Sequence, residues 1–155
     1  MRQQAVESMS HSVEETQAFG ERLGRLLAPG DLVALEGELG SGKTTLIQGI
    51  AQGLGINPHL VKSPTFVLMR EYPGSIPLIH LDGYRLDDPQ RVPWLDVELL
   101  FSPQKVTVVE WAQRFGEWIP AEHLIVRTAY VSTHRRRFTL LASGERAKKV
   151  LSQLI

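Results

Sequence analysis

The sequence predicts an α/β fold in which a buried strand runs into a phosphate-binding loop and then a helix. Three adjacent features predict it. Leu32-Val33-Ala34-Leu35 is a short, continuous apolar run, the pattern of a strand covered on both faces. Gly37-Glu38-Leu39-Gly40-Ser41-Gly42-Lys43-Thr44 follows and matches G-x-x-x-x-G-K-[ST] at every fixed position. From Thr44 to about Leu54 the period becomes helical, with Leu46, Ile47, Ile50, Ala51 and Leu54 on one face and Gly53 and Gly55 near its end.

The other elements follow in order. At 155 residues the chain is the size of one domain, predicted over 1–155 with residues 1–11 as a flexible N-terminal extension. Ser12-Val13-Glu14-Glu15 has the S-x-x-E form of a capping box, so a first helix starts there. Phe19, Leu23, Leu26 and Leu27 give that helix one apolar stripe, and Pro29-Gly30 stops it. Runs at Thr65–Arg70, Leu78–Leu81, Val106–Val109, Leu124–Val131 and Phe138–Ala142 read as strands, making six or so with Leu32–Leu35 and hence a substantial sheet. Asp88-Pro89 can open a short helix, but Pro93 and Pro103 keep the stretch between them a loop with helical turns. Ala147, Val150, Leu151, Leu154 and Ile155 fall on one face of a closing amphipathic helix. No internal repeat, low-complexity tract or linker is visible.

Composition narrows the function classes. Lys plus Arg number 17 and Asp plus Glu number 17, so no global field exists to hold polyanionic nucleic acid, and any RNA role needs a local patch or a partner. The absence of cysteine excludes disulfides, thiolate zinc sites and a cysteine nucleophile, so any metal must be held through oxygen or His. The N-terminus MRQQAVESMSHSVEE lacks a signal-peptide core, and no apolar run reaches membrane-spanning length, so the expected location is the cytoplasm with no membrane role.

The glycines of the loop let the backbone turn its amides inward as an anion nest, reinforced by the positive end of the next helix. Leu39, Gly40, Ser41 and Gly42 wrap the phosphates, Lys43 reaches the β- and γ-phosphates, the Thr44 hydroxyl takes a place around Mg²⁺, and Thr45 backs the α-phosphate. In open α/β sheets ligands bind beyond the carboxyl ends of the strands. Two acids sit at such ends: Asp82 closes Leu78-Ile79-His80-Leu81, and Glu110 closes Val106-Thr107-Val108-Val109. Phosphoryl transfer to water needs a carboxylate for the metal and often a second group to orient the water, and the spacing leaves open which acid does which. Ser63-Pro64-Thr65-Phe66 can present Thr65 as a switch loop does, or can be a turn. His80 shares a strand face with Asp82 and can orient it, or can be a packed, hydrogen-bonded His. Trp111 can lie on a nucleotide or belong to the core, and Arg135-Arg136-Arg137 can contact phosphate or form solvated charge at a strand edge.

Four segments in order carry a resemblance: G-E-L-G-S-G-K-T-T (37–45), V-K-S-P-T-F (61–66), H-L-D-G-Y-R-L (80–86) and V-V-E-W (108–111). From about Thr16 to Gly144 the chain resembles the bacterial TsaE (YjeE) family, small ATPases of tRNA threonylcarbamoyladenosine biosynthesis. The resemblance implies a P-loop NTPase-like three-layer α/β sandwich with a mixed, mainly parallel sheet, and ATP and Mg²⁺ as cofactors. It implies weak hydrolysis alone and work with the TsaB–TsaD heterodimer, which transfers threonylcarbamoyl to adenosine 37 of tRNAs reading codons that begin with A, so that tRNA is met indirectly through the complex. It further implies that Lys43, Asp82 and Glu110 are catalytic, that Thr44 and Glu110 are on the metal side, and that Thr65 lies in a switch-like segment. Thr16, Trp111 and Arg136 lie near the nucleotide on the same ground, with Arg135 as the alternative register. The chain departs from the family pattern in having Gly83 where Leu is more usual, and in lacking a Gly after the Leu of the Pro93–Pro103 stretch. The rival is a P-loop small-molecule or nucleotide kinase, which needs an acceptor site and usually an Arg-bearing lid; Arg135–Arg137 arrives late and is followed by strand and helix.

Overall fold

The computed structural model describes residues 5–38, 41–62, 68–88 and 96–154. In chain order these form β1 (Ala5–Ser10), α1 (Val13–Leu26), β2 (Leu32–Gly37), α2 (Lys43–Gly53), β3 (Met69–Tyr72), β4 (Leu78–Asp82), α3 (Val97–Leu100), β5 (Val106–Glu110), β6 (His123–Tyr130), β7 (Arg136–Ser143) and α4 (Glu145–Leu154). Short 3₁₀ segments occupy Pro58–Leu60 and Ala112–Trp118. The described strands make one seven-stranded mixed sheet in the order β1-β7-β6-β2-β5-β4-β3. Its centre, β6-β2-β5-β4, is parallel, and the flanking pairs β6–β7, β7–β1 and β4–β3 are antiparallel. All residues of β4 and β5 are buried, as strands covered on both faces must be, and this includes the two acids that end them.

The strands divide their side chains by the period of two. Val33, Leu35, Val106, Val108, Val126 and Leu140 pack with Phe19 and Leu23 of α1, Leu46, Ile47 and Ile50 of α2, and Val150 and Leu151 of α4. Leu32, Ala34, Ile79, Leu81 and Val109 face the other way, onto Leu86, Leu100 and Phe115. The result is a three-layer sandwich with one thick helical layer and one thin layer built from α3 and the 3₁₀ segment Ala112–Trp118. Each fully buried Leu, Ile or Phe contributes about 1.5–3 kcal/mol relative to exposure. No helix among the described residues is long and apolar enough to cross a membrane.

The Ser12 cap forms as its spacing predicts, with Glu15 N–H donating to Ser12 Oγ (3.0 Å), while Glu15 Oε2 reaches one residue beyond the cap and accepts from His11 N–H (2.9 Å). An arrangement that hydrophobic periodicity does not report is the interlock of α1 with α2. A Cβ on Gly24 would lie 2.3 Å from the Ile50 carbonyl oxygen, and one on Gly49 would lie 2.4 Å from that of Gln17. The two backbones touch along the middle and C-terminal half of α2. Gly24→Ala is therefore expected to destabilise, because the clash is with backbone; overpacking costs about 1–3 kcal/mol, against an intrinsic helix gain of about 1 kcal/mol for Ala over Gly. Calorimetry should show a Tm several degrees lower, and an unchanged Tm would mean that the helices separate at little cost.

Two expectations are corrected. Ala5–Ser10, predicted within a flexible extension over 1–11, is an edge strand paired with β7 from Ala5↔Leu141 to Ser10↔Arg136. Its better-covered face carries Val6, Ser8 and Ser10, too polar for apolar periodicity to report. The strand predicted over Thr65–Arg70 is displaced toward the C-terminus: residues 65–67 lie outside the described residues, Leu68 has φ 70°, and β3 starts at Met69. Pro89 and Pro93 also lie outside the described residues, and the helical turn that is described, α3, starts from an Asp96 cap whose Oδ1 accepts from Glu98 N–H (2.9 Å).

Candidate functional site

The glycine loop is stitched to β6. A Cβ on Gly37 would lie 2.1 Å from Thr128 Oγ1 and 2.7 Å from Ser41 Oγ, so only glycine fits between β2 and its parallel neighbour. Ser41 is fully buried, its hydroxyl 2.5 Å from Thr128 Oγ1, and Thr128 in turn donates to the Glu36 carbonyl at 3.3 Å. Gly42, at φ 97°, turns the chain into α2 with no side chain capping the helix. The first-turn amides of α2 therefore face outward with the positive end of the helix dipole, beside the Lys43 ammonium, an arrangement suited to an anion.

β4 and β5 bring the two acids to the same level, with Asp82 directly opposite Glu110 in the parallel register. Glu110 is held at both oxygens: Oε2 is 2.8 Å from His80 Nε2, and Oε1 is 3.4 Å from Lys43 Nζ. Burial pushes its carboxyl upward, but the hydrogen bond and charge of His80, together with Lys43, outweigh that and hold it below the usual carboxylate range. Asp82 is buried and accepts Tyr84 N–H at Oδ1 (3.0 Å), while Gly83 N–H donates to the Glu110 carbonyl (2.9 Å). A Cβ at Gly83 would meet the Trp111 carbonyl oxygen at 2.9 Å, so the small residue here lets the β4 and β5 ends close on each other.

Trp111, at φ 59°, is a bulky residue in the left-handed region, which a chain tolerates only where its surroundings impose it. Its ring lies between Tyr84 (centroids 5.3 Å apart) and the Arg114 guanidinium (5.7 Å), leaving aromatic surface at the cavity wall. Opposite, Arg136 lies over Tyr130 (4.7 Å), and its Nη1 donates to the Ser132 and Arg135 carbonyls (2.8 and 3.0 Å).

These groups line a cavity of about 970 Å³ that contains Gly42, Lys43, Thr44, Thr45, Asp82, Glu110, Trp111 and Arg136. Thr16 is elsewhere: it is buried against Ser10 (Oγ–Oγ1 2.7 Å) and lines a smaller hollow of about 70 Å³, shared with Gly42, Thr45 and Arg136, behind the start of α2. Ser41 faces Thr128 and not the cavity. Of the three arginines, Arg136 lines both hollows, while Arg135 and Arg137 are exposed. His80 is on the predicted face and matches the second of its two readings, a packed, hydrogen-bonded His, with its bond made to Glu110 on the next strand. Leu39, Gly40 and Thr65 lie outside the described residues. Thr128 and Tyr84 line the cavity without having been singled out. Thr128 sits near the carboxyl end of a strand parallel to β2, so the strand-end rule that found the acids would also have found it.

The family model described as "Threonylcarbamoyl adenosine biosynthesis protein TsaE" matches residues 10–138. The chain belongs to the TsaE family. Among TsaE relatives it is 39% identical over 142 residues to the tRNA threonylcarbamoyladenosine biosynthesis protein TsaE of Bacillus subtilis, covering 91% of this chain and 88% of that one. It is 42% identical over 122 residues to the Nostoc TsaE of the same description, covering 76% and 74%. A crystal structure of Bacillus subtilis YdiB superposes with a TM-score of 0.82 at 32% identity, covering 99% of this chain and 96% of that one. The mixed-sheet sandwich is thus the architecture of a TsaE-like neighbour, and the cavity at its parallel strand ends is the feature of this TsaE-family chain that calls for a chemical role.

Proposed function

We propose that this TsaE-family chain is a Mg²⁺-dependent ATP hydrolase that supports threonylcarbamoyl modification of adenosine 37 of tRNA, in the cytoplasm and together with a TsaB–TsaD heterodimer. The observation that carries the reading is the alignment of Asp82 with Glu110 at adjacent parallel strand ends, facing Lys43 at the uncapped start of α2 in one cavity. Lys43 and the α2 amides suit the β- and γ-phosphates, and Thr45 suits the α-phosphate. Thr44 and Glu110 offer oxygen ligands to Mg²⁺, which when bound neutralises charge on the transferring phosphoryl group. Thr44 and Glu110 are few ligands for a six-coordinate cation, and phosphate oxygens and water would complete its shell. Asp82, which accepts Tyr84 N–H, would orient the attacking water, while Trp111, Arg136 and Thr16 suit the remainder of the nucleotide.

A chain of zero net charge has little hold on tRNA by itself, which favours contact through the partner complex. The test is ATP hydrolysis alone and with the heterodimer, alongside multiple-turnover tRNA modification. We expect slow hydrolysis alone, faster hydrolysis with the heterodimer, and modification that stalls after the first rounds when the chain is omitted. Phosphate transfer to a small-molecule acceptor, with modification indifferent to the chain, would instead identify a kinase.

A further inference from the structure

β4 carries a buried polar side chain for which the chemistry above has no use. His80 is 1% exposed; its Nε2 meets Glu110, and its Nδ1 has no hydrogen-bond partner among the described residues. A carboxylate only accepts, so Nε2 donates in this bond, and Nδ1 is left unpartnered inside the sheet. An apolar side chain would fill this position without an orphaned atom, so the bond to Glu110 is the one interaction that a His supplies here. His80 does not line the cavity, whereas Glu110 and Lys43 do. The two carboxylate oxygens therefore have different surroundings: Oε2 is turned to the buried imidazole and Oε1 to the Lys43 side.

We infer that His80 is a positioning residue that takes Oε2 of Glu110 out of use and presents Oε1 alone to a cation, so that the site favours a small, octahedral divalent ion over a larger one. The inference rests on Glu110 being the metal-side acid. The physical ground is the difference between the ions. Mg²⁺ demands near-ideal six-fold geometry and takes a carboxylate through one oxygen, while Ca²⁺ accepts both oxygens and a looser shell. A hydrogen bond that occupies one lone pair of Oε2 and fixes the rotation of the carboxylate disfavours the second mode. Partners of this kind, which touch a ligand and not the metal, typically change metal affinity by about 10–100-fold when removed.

The test compares His80→Gln with His80→Asn. Both side chains are amides, but only the Gln nitrogen reaches the position of Nε2; the Asn nitrogen stops near that of Nδ1. Binding of ADP is titrated in EDTA, in Mg²⁺ and in Ca²⁺, with thermal melting in parallel. We expect metal-free affinity within about twofold of the parent for both variants. In His80→Asn the gain on adding Mg²⁺ should fall by about tenfold and the preference for Mg²⁺ over Ca²⁺ should collapse, with His80→Gln restoring both. If His80→Asn does not fold, His80→Leu, which has no donor, takes its place. Retention of the Mg²⁺ gain and the ion preference in the variant without a donor to Oε2 (His80→Asn, or His80→Leu in its place), even with a lower melting temperature, would overturn the inference and leave His80 a packing residue. Two further results separate the inference from its foundation. A parent protein with no Mg²⁺ gain removes Glu110 from the metal and the inference with it. A parent gain that Glu110→Gln abolishes and the donor-less variant keeps defeats the inference alone.

Discussion

Lys43→Ala is expected to weaken ATP binding by about 10–10²-fold, the equivalent of a charged hydrogen bond worth about 1.5–3 kcal/mol, and to lower turnover by on the order of 10²–10³-fold. The Lys43 ammonium pairs with Glu110 at 3.4 Å across the cavity mouth, where it can exchange that carboxylate for a phosphate arriving at the first turn of α2. Its effect on turnover should exceed its effect on binding because charge moves onto the phosphate oxygens as the bond breaks. The fold should survive, since Lys43 belongs to neither hydrophobic cluster and Glu110 keeps its bond to His80 in the variant. Fluorescent-nucleotide titration, ATPase assay and near-ultraviolet circular dichroism test all three statements. A variant that binds and hydrolyses ATP like its parent would leave the glycine loop as a packing device.

The sheet's centre was legible because parallel strands buried on both faces are written as unbroken apolar runs, as in Leu32–Leu35 and Val106–Val109. The acids were legible for the same reason in reverse: Asp82 and Glu110 end such runs, where a carboxylate has no place unless a site requires it. Edges were harder to read. β1 covers only one of its faces and does so with Val6 and two serines, so its signal is weaker than that of the loops around it. The contact of α1 with α2 was hidden because periodicity scores apolar side chains, whereas Gly24 and Gly49 act by having none. Within the site, sequence places a residue on a strand face but not opposite a particular neighbour. His80 and Asp82 share a face, yet the bond of His80 runs diagonally to Glu110, a choice set by the β4–β5 register alone. Thr128 is the same case, since its value lies in meeting Ser41 from 87 residues away in the chain.

Glu110→Gln and Asp82→Asn should each depress hydrolysis by on the order of 10²-fold or more while nucleotide binding largely survives, because groups that act on metal and water contribute to the chemical step and little to ground-state affinity. Both replacements keep the local structure. A Gln carbonyl at 110 can still accept from His80 Nε2–H, and an Asn carbonyl at 82 can still accept from Tyr84 N–H, so these bonds survive while the charge is lost. The two variants should then diverge in a way that assigns their roles. Glu110→Gln releases Lys43 from its carboxylate partner, so metal-free nucleotide should bind as well as to the parent or better, while the gain on adding Mg²⁺ disappears. Asp82→Asn leaves the Lys43–Glu110 pair in place and should keep the Mg²⁺ gain, losing turnover alone. Nucleotide titration with and without Mg²⁺ on each variant, beside single-turnover hydrolysis, reads these differences directly. Reversal of the pattern would exchange the two acids between metal and water. Normal hydrolysis by Asp82→Asn would reduce Asp82 to what its bond to Tyr84 N–H already makes it, the cap of a strand-end turn.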